Sequence, residues 1–198
     1  MVRRMGTTSA ISVYDPQMQA LPVVLSCPHA GTVVPESLSA VTLLSPEALI
    51  GATDFGVEAL VEPVAAELSV PLVRCNVARA FVDVNRDVDE IDPSLFASEA
   101  HLPTHKARSP RVMAGLGVIP TKAPGNLSIY GDTKLASEEV ERRLALVHRP
   151  YHDALAHFIT RTLDTFGSCI VLDCHSMPAM SASASFSLRR DRNPFRIK

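Results

Sequence analysis

The stretch "SCIVLDCHSMP", residues 168–178, decides how the whole chain is read. Small and apolar residues from Ser168 to Leu172 run without polar alternation into Asp173, Cys174 and His175. A short continuous apolar run just after a glycine reads as a strand buried in a parallel or mixed sheet. It places His175 at a strand end, as a reactive group or as an ordinary core histidine.

The residues before it read as the clearest helix. Ser137 is the expected N-cap, and Glu138 and Glu139 suit the positive end of the helix dipole. Val140, Leu144, Val147, Tyr151, Leu155, Phe158, Ile159 and Leu163 keep one apolar stripe. Pro150 predicts a kink, and Gly167 closes the helix as its C′ residue.

Further back, "LPVVLSC" is a valine-rich run between Pro22 and Pro28 and reads as another buried strand. A helix is expected in "ATDFGVEALVEPVAAEL", with Thr53 or Asp54 as its N-cap and a kink or later start imposed by Pro63. "VPLVRCNV" and "AFVDVN" read as two more strands. From Asp87 to Thr133 the pattern dissolves into a long connection, a length that is often functional. Strand, helix, strand, strand, loop, helix, strand predicts an α/β domain with a mixed, mainly parallel sheet.

Composition excludes several classes. The 198 residues are 46% hydrophobic and 20% charged, with a formal net charge of -2. That balance suits one globular domain and gives no electrostatic case for nucleic acid or an anionic membrane. No apolar run approaches the roughly 18 residues a membrane span needs. The N-terminus has two arginines but no apolar run after them, so the expected compartment is the cytoplasm. The four cysteines, Cys27, Cys75, Cys169 and Cys174, lie in or beside strand-like runs and read as buried free thiols. No phosphate-binding glycine loop and no GxSxG serine elbow occurs. Adjacent Cys174 and His175 would point to opposite faces of a strand, which disfavours a thiol dyad.

In such sheets functional groups collect beyond the carboxyl ends of strands. Two strands run out into histidines there, His29 and His175, and Asp54 opens a helix. Two imidazoles and a carboxylate leave one position open on a zinc ion for water. Each imidazole then needs an acceptor on its other nitrogen, and Asp173 is placed to serve. His148 and His152, at i and i+4, are a second possible metal pair or simply an exposed helix face. Asn85 and Arg86 end another strand, where a guanidinium can fork onto a carboxylate, and Arg79 is a second anion contact. Arginines at strand ends are also common as plain surface residues.

"LSCPHAGTVVPE", "TDFGVEALV", "ARAFVDVNRD", "GLGVIPT", "IYGDTKL", "HRPYHDALAHFI" and "VLDCHSMP" occur in this order. Together they resemble the N-formylglutamate amidohydrolase family across about residues 20–178. The resemblance implies a phosphorylase/hydrolase-like three-layer α/β/α sandwich and one zinc ion per chain. It also implies hydrolysis of N-formyl-L-glutamate to formate and L-glutamate, a step of histidine degradation. The small-molecule N-acyl amino acid is the expected partner, and the oligomeric state is open.

Carried over residue by residue, it makes His29 and His175 metal ligands, with Asp54 as the carboxylate ligand and Glu36 as the alternative. It makes Arg86, Arg79 and Asp173 catalytic residues. Asn85, Arg86 and Tyr130 become substrate-binding residues, with Lys134 beside Tyr130. The family continues past the last of these blocks towards a late glutamate, whereas residues 181–198 here carry no glutamate. The expectation is a single domain over 1–180, truncated, with an atypical disordered tail over 181–198. Without that glutamate as base, catalysis would fall by about 10² to 10⁴-fold. A metal-holding remnant and a zinc hydrolase of another N-acyl amino acid are the alternatives.

Overall fold

The computed structural model describes residues 6–7, 10–96 and 109–177. Its main sheet contains β1 (Gly6–Thr7), β2 (Ile11–Tyr14), β3 (Val23–Cys27), β4 (Leu72–Cys75) and, last in the chain, Ile170–Asp173. Between these strands lie α1 (Glu36–Ser39), α2 (Pro46–Leu49) and α3 (Val57–Glu67). The connection after β4 contains α4 (Pro110–Met113) and a small hairpin of β5 (Lys122–Ala123) and β6 (Leu127–Ser128). Then come α5 (Ser137–Arg143) and α6 (Arg149–Phe166), and Ile170–Asp173 is β7.

The sheet order is β1-β2-β4-β3-β7. β3 is parallel to β4 and to β7, while β2 is antiparallel to β4 and β1. The expected mixed α/β sheet is therefore present. The three parallel strands bring their carboxyl ends to one edge, with Ser26 paired to Asp173. His29 and His175 follow two residues after β3 and β7 end.

Alternation across the sheet separates two cores. Val24, Val73 and Cys75 belong to the larger cluster with Tyr151 and Phe158 of α6. Leu25, Cys27 and Leu72 turn the other way, onto Val57 and Ala65 of α3. Helices thus cover both faces of the central strands, as near-continuous apolar strands require.

Three local expectations are corrected. Neither Thr53 nor Asp54 caps α3: Gly56 does, at φ 81°, a left-handed conformation that glycine adopts without a Cβ penalty. That frees the Asp54 side chain for the histidines. The helix starts at Val57 and continues through Pro63. Ser137 is the first helical residue and not the cap, a position held by Ala136.

The third correction concerns residues 80–85, which form buried turns and not a strand. Side chains satisfy the carbonyls of Phe81, Val84 and the following Arg86. His152 Nε2 donates to Val84 O at 2.8 Å, His148 Nε2 to Arg86 O at 2.8 Å, and Arg143 Nη1 to Phe81 O at 3.3 Å. A buried backbone needs partners, but they need not be strands.

Directly before Pro150 the last helix carries a π-helical turn, Leu144–His148. One expectation about this helix holds. Gly167 ends the helix at φ 72°, its N–H bonded to Leu163 O. The long connection also keeps more structure than expected, since its described part contains α4 and the hairpin. The expectations for residues 181–198 lie outside the described residues.

Candidate metal centre

The centre is assembled from three places in the fold. His29 follows β3, His175 follows β7, and Asp54 sits in the turn before α3, where its N–H bonds His29 O at 2.8 Å. The side-chain donors of His29, Asp54 and His175 lie within 4.8 Å of one another. Asp54 Oδ2 is 2.9 Å from Nδ1 of His175 and 3.8 Å from Nδ1 of His29. The two rings stand 4.8 Å apart, centroid to centroid.

The outer nitrogens are fixed as well. Nε2 of His29 meets Asp83 Oδ1 at 2.7 Å, and Nε2 of His175 meets Asp173 Oδ2 at 2.9 Å. With each Nε2–H donated to its carboxylate, both Nδ1 atoms face Asp54 Oδ2; His175 Nδ1 donates to it while the ring is protonated, and its lone pair becomes available where a metal ion replaces that proton. Two imidazole nitrogens and a carboxylate oxygen, each imidazole oriented by a carboxylate behind it, form a donor set that fits a zinc ion with one position left open.

Asp83 is the residue that sequence reading missed. Its side chain is fully buried, among Arg79 Nε at 2.8 Å, Arg86 Nε at 3.7 Å and His29. Burial alone would raise its pKa. The hydrogen bond from His29 and the charges of Arg79 and Arg86 win, and hold it down at about 2. A carboxylate inside the apolar run "AFVDV" was the available signal, because burying one is costly unless it is paired.

Asp173 is tied down from the other side. Its Oδ1 accepts from Ser26 Oγ at 2.6 Å, and Ser26 Oγ stands 2.8 Å from the Tyr151 hydroxyl. Since Ser26 gives its one hydrogen to Asp173, Tyr151 is the donor to Ser26. Asn85 Nδ2 donates to Asp173 Oδ2 at 3.2 Å and lies 3.1 Å from His175 Nε2. Ser176 Oγ donates to Asp54 Oδ1 at 3.1 Å. Burial works against the charged form of His175, but the bonds to Asp173 and Asp54 prevail and raise its pKa.

The remaining expected residues divide into two groups. Arg79 and Arg86 gather on Asp83, and Arg86 also donates to Leu116 O and Asn85 O. Tyr130 is buried away from the cluster, its hydroxyl accepting from Arg143 Nη1 at 2.7 Å, and Lys134 Nζ is on Ser94 O. Glu36 begins α1 and is absent from the donor group. His148 and His152 stack at 4.3 Å and brace the backbone of Val84 and Arg86 instead of forming a metal pair. All four cysteines are free, and burial pushes Cys27 and Cys75 up to about 12, which leaves no thiolate nucleophile there.

Fold and cluster define an α/β protein with an open two-histidine, one-carboxylate centre at the ends of parallel strands. The sequence profile of the N-formylglutamate amidohydrolase family matches residues 21–197, and the chain belongs to that family. It is 28% identical over 158 residues to the N-formylglutamate deformylase of Pseudomonas aeruginosa, an alignment spanning 79% of this chain and 52% of that protein. The crystal structure of N-formylglutamate amidohydrolase from Ralstonia eutropha superposes with a TM-score of 0.78 at 29% identity, covering 96% of this chain and 64% of that one. A gene product of Agrobacterium tumefaciens shares the fold alone, at a TM-score of 0.59 and 20% identity. The chain thus spans between about half and two thirds of the length of these relatives. No helix among the described residues is long and apolar enough to cross a membrane.

Proposed function

We propose that the protein is a zinc-dependent amidohydrolase that cleaves the formyl amide of N-formyl-L-glutamate to formate and L-glutamate. The observation that carries this reading is the convergence of His29 Nδ1, His175 Nδ1 and Asp54 Oδ2, with both Nε2 atoms held by carboxylates. Bound zinc supplies an acidified water and polarises the formyl carbonyl.

The chain's own residues do the rest. Asp83 and Asp173 keep both imidazoles in the tautomer that presents Nδ1. Arg86 and Asn85 lie beside the centre, where a guanidinium and an amide can hold a substrate carboxylate and orient the amide. Arg79 adds positive charge at the same place. One zinc per chain, a three-layer α/β/α arrangement, a single domain over 1–180, a place in histidine degradation and a cytoplasmic setting complete the proposal.

The test couples elemental zinc analysis to formate release from N-formyl-L-glutamate. Release abolished by chelator, restored by zinc and lost in His175→Ala supports the assignment. Undiminished release in His175→Ala sinks the site. Stoichiometric zinc without turnover on any N-acyl amino acid favours a metal-holding protein without catalysis. Turnover of acetyl or succinyl derivatives alone shifts the substrate.

A further inference from the structure

A cavity of about 310 Å³ shares wall residues with the surroundings of the metal centre and contains none of its three candidate ligands. Arg79 forms part of its wall while its Nε bonds Asp83, the carboxylate behind His29. Ala52, also in the wall, lies two residues before Asp54. Leu116, a third wall residue, takes the Arg86 guanidinium on its carbonyl. Three wall residues are thus linked, by contact or by the chain, to groups that surround the histidines.

Its chemistry is one-sided. Arg79 and Lys122 line it, no carboxylate does, and most of the wall is small apolar side chains. Arg79 shares its charge with Asp83. Lys122 is half-buried, and its ammonium has no ion pair or hydrogen bond among the described residues. The local backbone is shaped around this lysine. Gly115 holds φ 78°, and a Cβ there would fall 2.3 Å from Lys122 Cγ, so only glycine lets the stem pass. At the far end of the hairpin turn Asn126, another wall residue, holds a left-handed φ of 63°. Such outliers persist where surrounding structure imposes them, often at ligand sites.

We infer that this cavity is the subsite for the distal carboxylate of the substrate's side chain, with Lys122 as the specificity-determining residue. The inference rests on the amidohydrolase reading and deepens it. The apolar wall takes the methylenes of a short acidic side chain, and Lys122 and Arg79 take its carboxylate. Arg86 and Asn85, closer to the histidines, are left for the α-carboxylate. Lys122 thereby discriminates the acidic side chain of the proposed substrate from its uncharged amide isostere.

Titration calorimetry of the zinc-loaded protein with L-glutamate and L-glutamine tests this, since neither ligand carries a formyl group to release. The expected wild-type preference for glutamate is about 10- to 100-fold, the value of one charge-assisted hydrogen bond. Lys122→Met should collapse that ratio to within about 3-fold at an unchanged melting temperature. Ala114→Glu, which brings a carboxylate to the wall, should collapse it independently. A wild-type protein without preference, or a preference surviving in Lys122→Met, overturns the subsite. Formate assays separate the two proposals: a lysine-dependent preference without formate release leaves the subsite standing and removes the catalytic reading. Equal release from N-formyl-L-glutamate and N-formyl-L-glutamine does the reverse.

Discussion

The two halves of the metal centre are built differently. His29 is buried, and the carboxylate behind it, Asp83, is fully enclosed by Arg79, Arg86 and core residues. His175 is about a third exposed, and its partner Asp173 ends β7, which has β3 on one side and apolar side chains open to solvent. The first half is fixed by the interior, so its geometry follows from folding. The second hangs on hydrogen bonds to Ser26, Asn85 and Asp54. One half is a structural commitment, and the other is adjustable.

The largest effect should come from the buried half. Asp83→Leu leaves Arg79, Arg86 and His29 without their shared carboxylate inside the protein. Removing one partner of a buried ion pair costs about 3–5 kcal/mol, so urea denaturation should show a loss of that order. Zinc binding should disappear with it. A loss below about 1 kcal/mol would show that the His29 half is no more embedded than the His175 half.

The exposed half should respond in function and hardly in stability. Asp173→Asn keeps the shape beside His175 Nε2 but weakens the acceptor that orients the ring. Loss of such an orienting partner lowers metal affinity by about 10- to 100-fold. The expected result is weaker zinc binding in competition with a chelating dye, at a melting temperature within a few degrees of wild type. An equally large fall in stability would erase the contrast between the halves.

The same contrast explains what could be read from the sequence. β3, β4, β7 and the helix closed by Gly167 were legible because local patterning dictates them. His29 and His175 were legible because buried strands end beside them. Asp83 was not, since its partner lies 54 residues away and residues 80–85 look like one more strand. An apolar run records burial without recording how its carbonyls are satisfied, and His148, His152 and Arg143 satisfy these from much later in the chain. Asp54 was the favoured carboxylate and Glu36 the alternative. The left-handed Gly56 settles the geometry, because by capping α3 it leaves the Asp54 carboxylate free to face the rings.

The smallest expected effect is a difference in pH response, and its sign is opposite in the two halves. Asp83 has a folded pKa of about 2, below its ordinary 3.8. Its stabilisation is present above 3.8 and is lost as pH falls through about 2. His175, in the zinc-free protein, is raised above its ordinary 6.5. Its contribution is therefore complete below 6.5 and is lost as pH rises through the folded value. Because this imidazole is about a third exposed and solvent screens its ion pairs, the contribution is small. Thermal melts of chelated wild type and His175→Gln between about pH 5.5 and 8.5 read it directly. The wild type should melt higher at the acidic end, and the gap should close as pH rises. A gap that stays constant would mean that Asp54 and Asp173 do not hold the ring as an imidazolium. The exposed half would then lack the electrostatic preference for a cation that a zinc ion can exploit in the imidazolium's place.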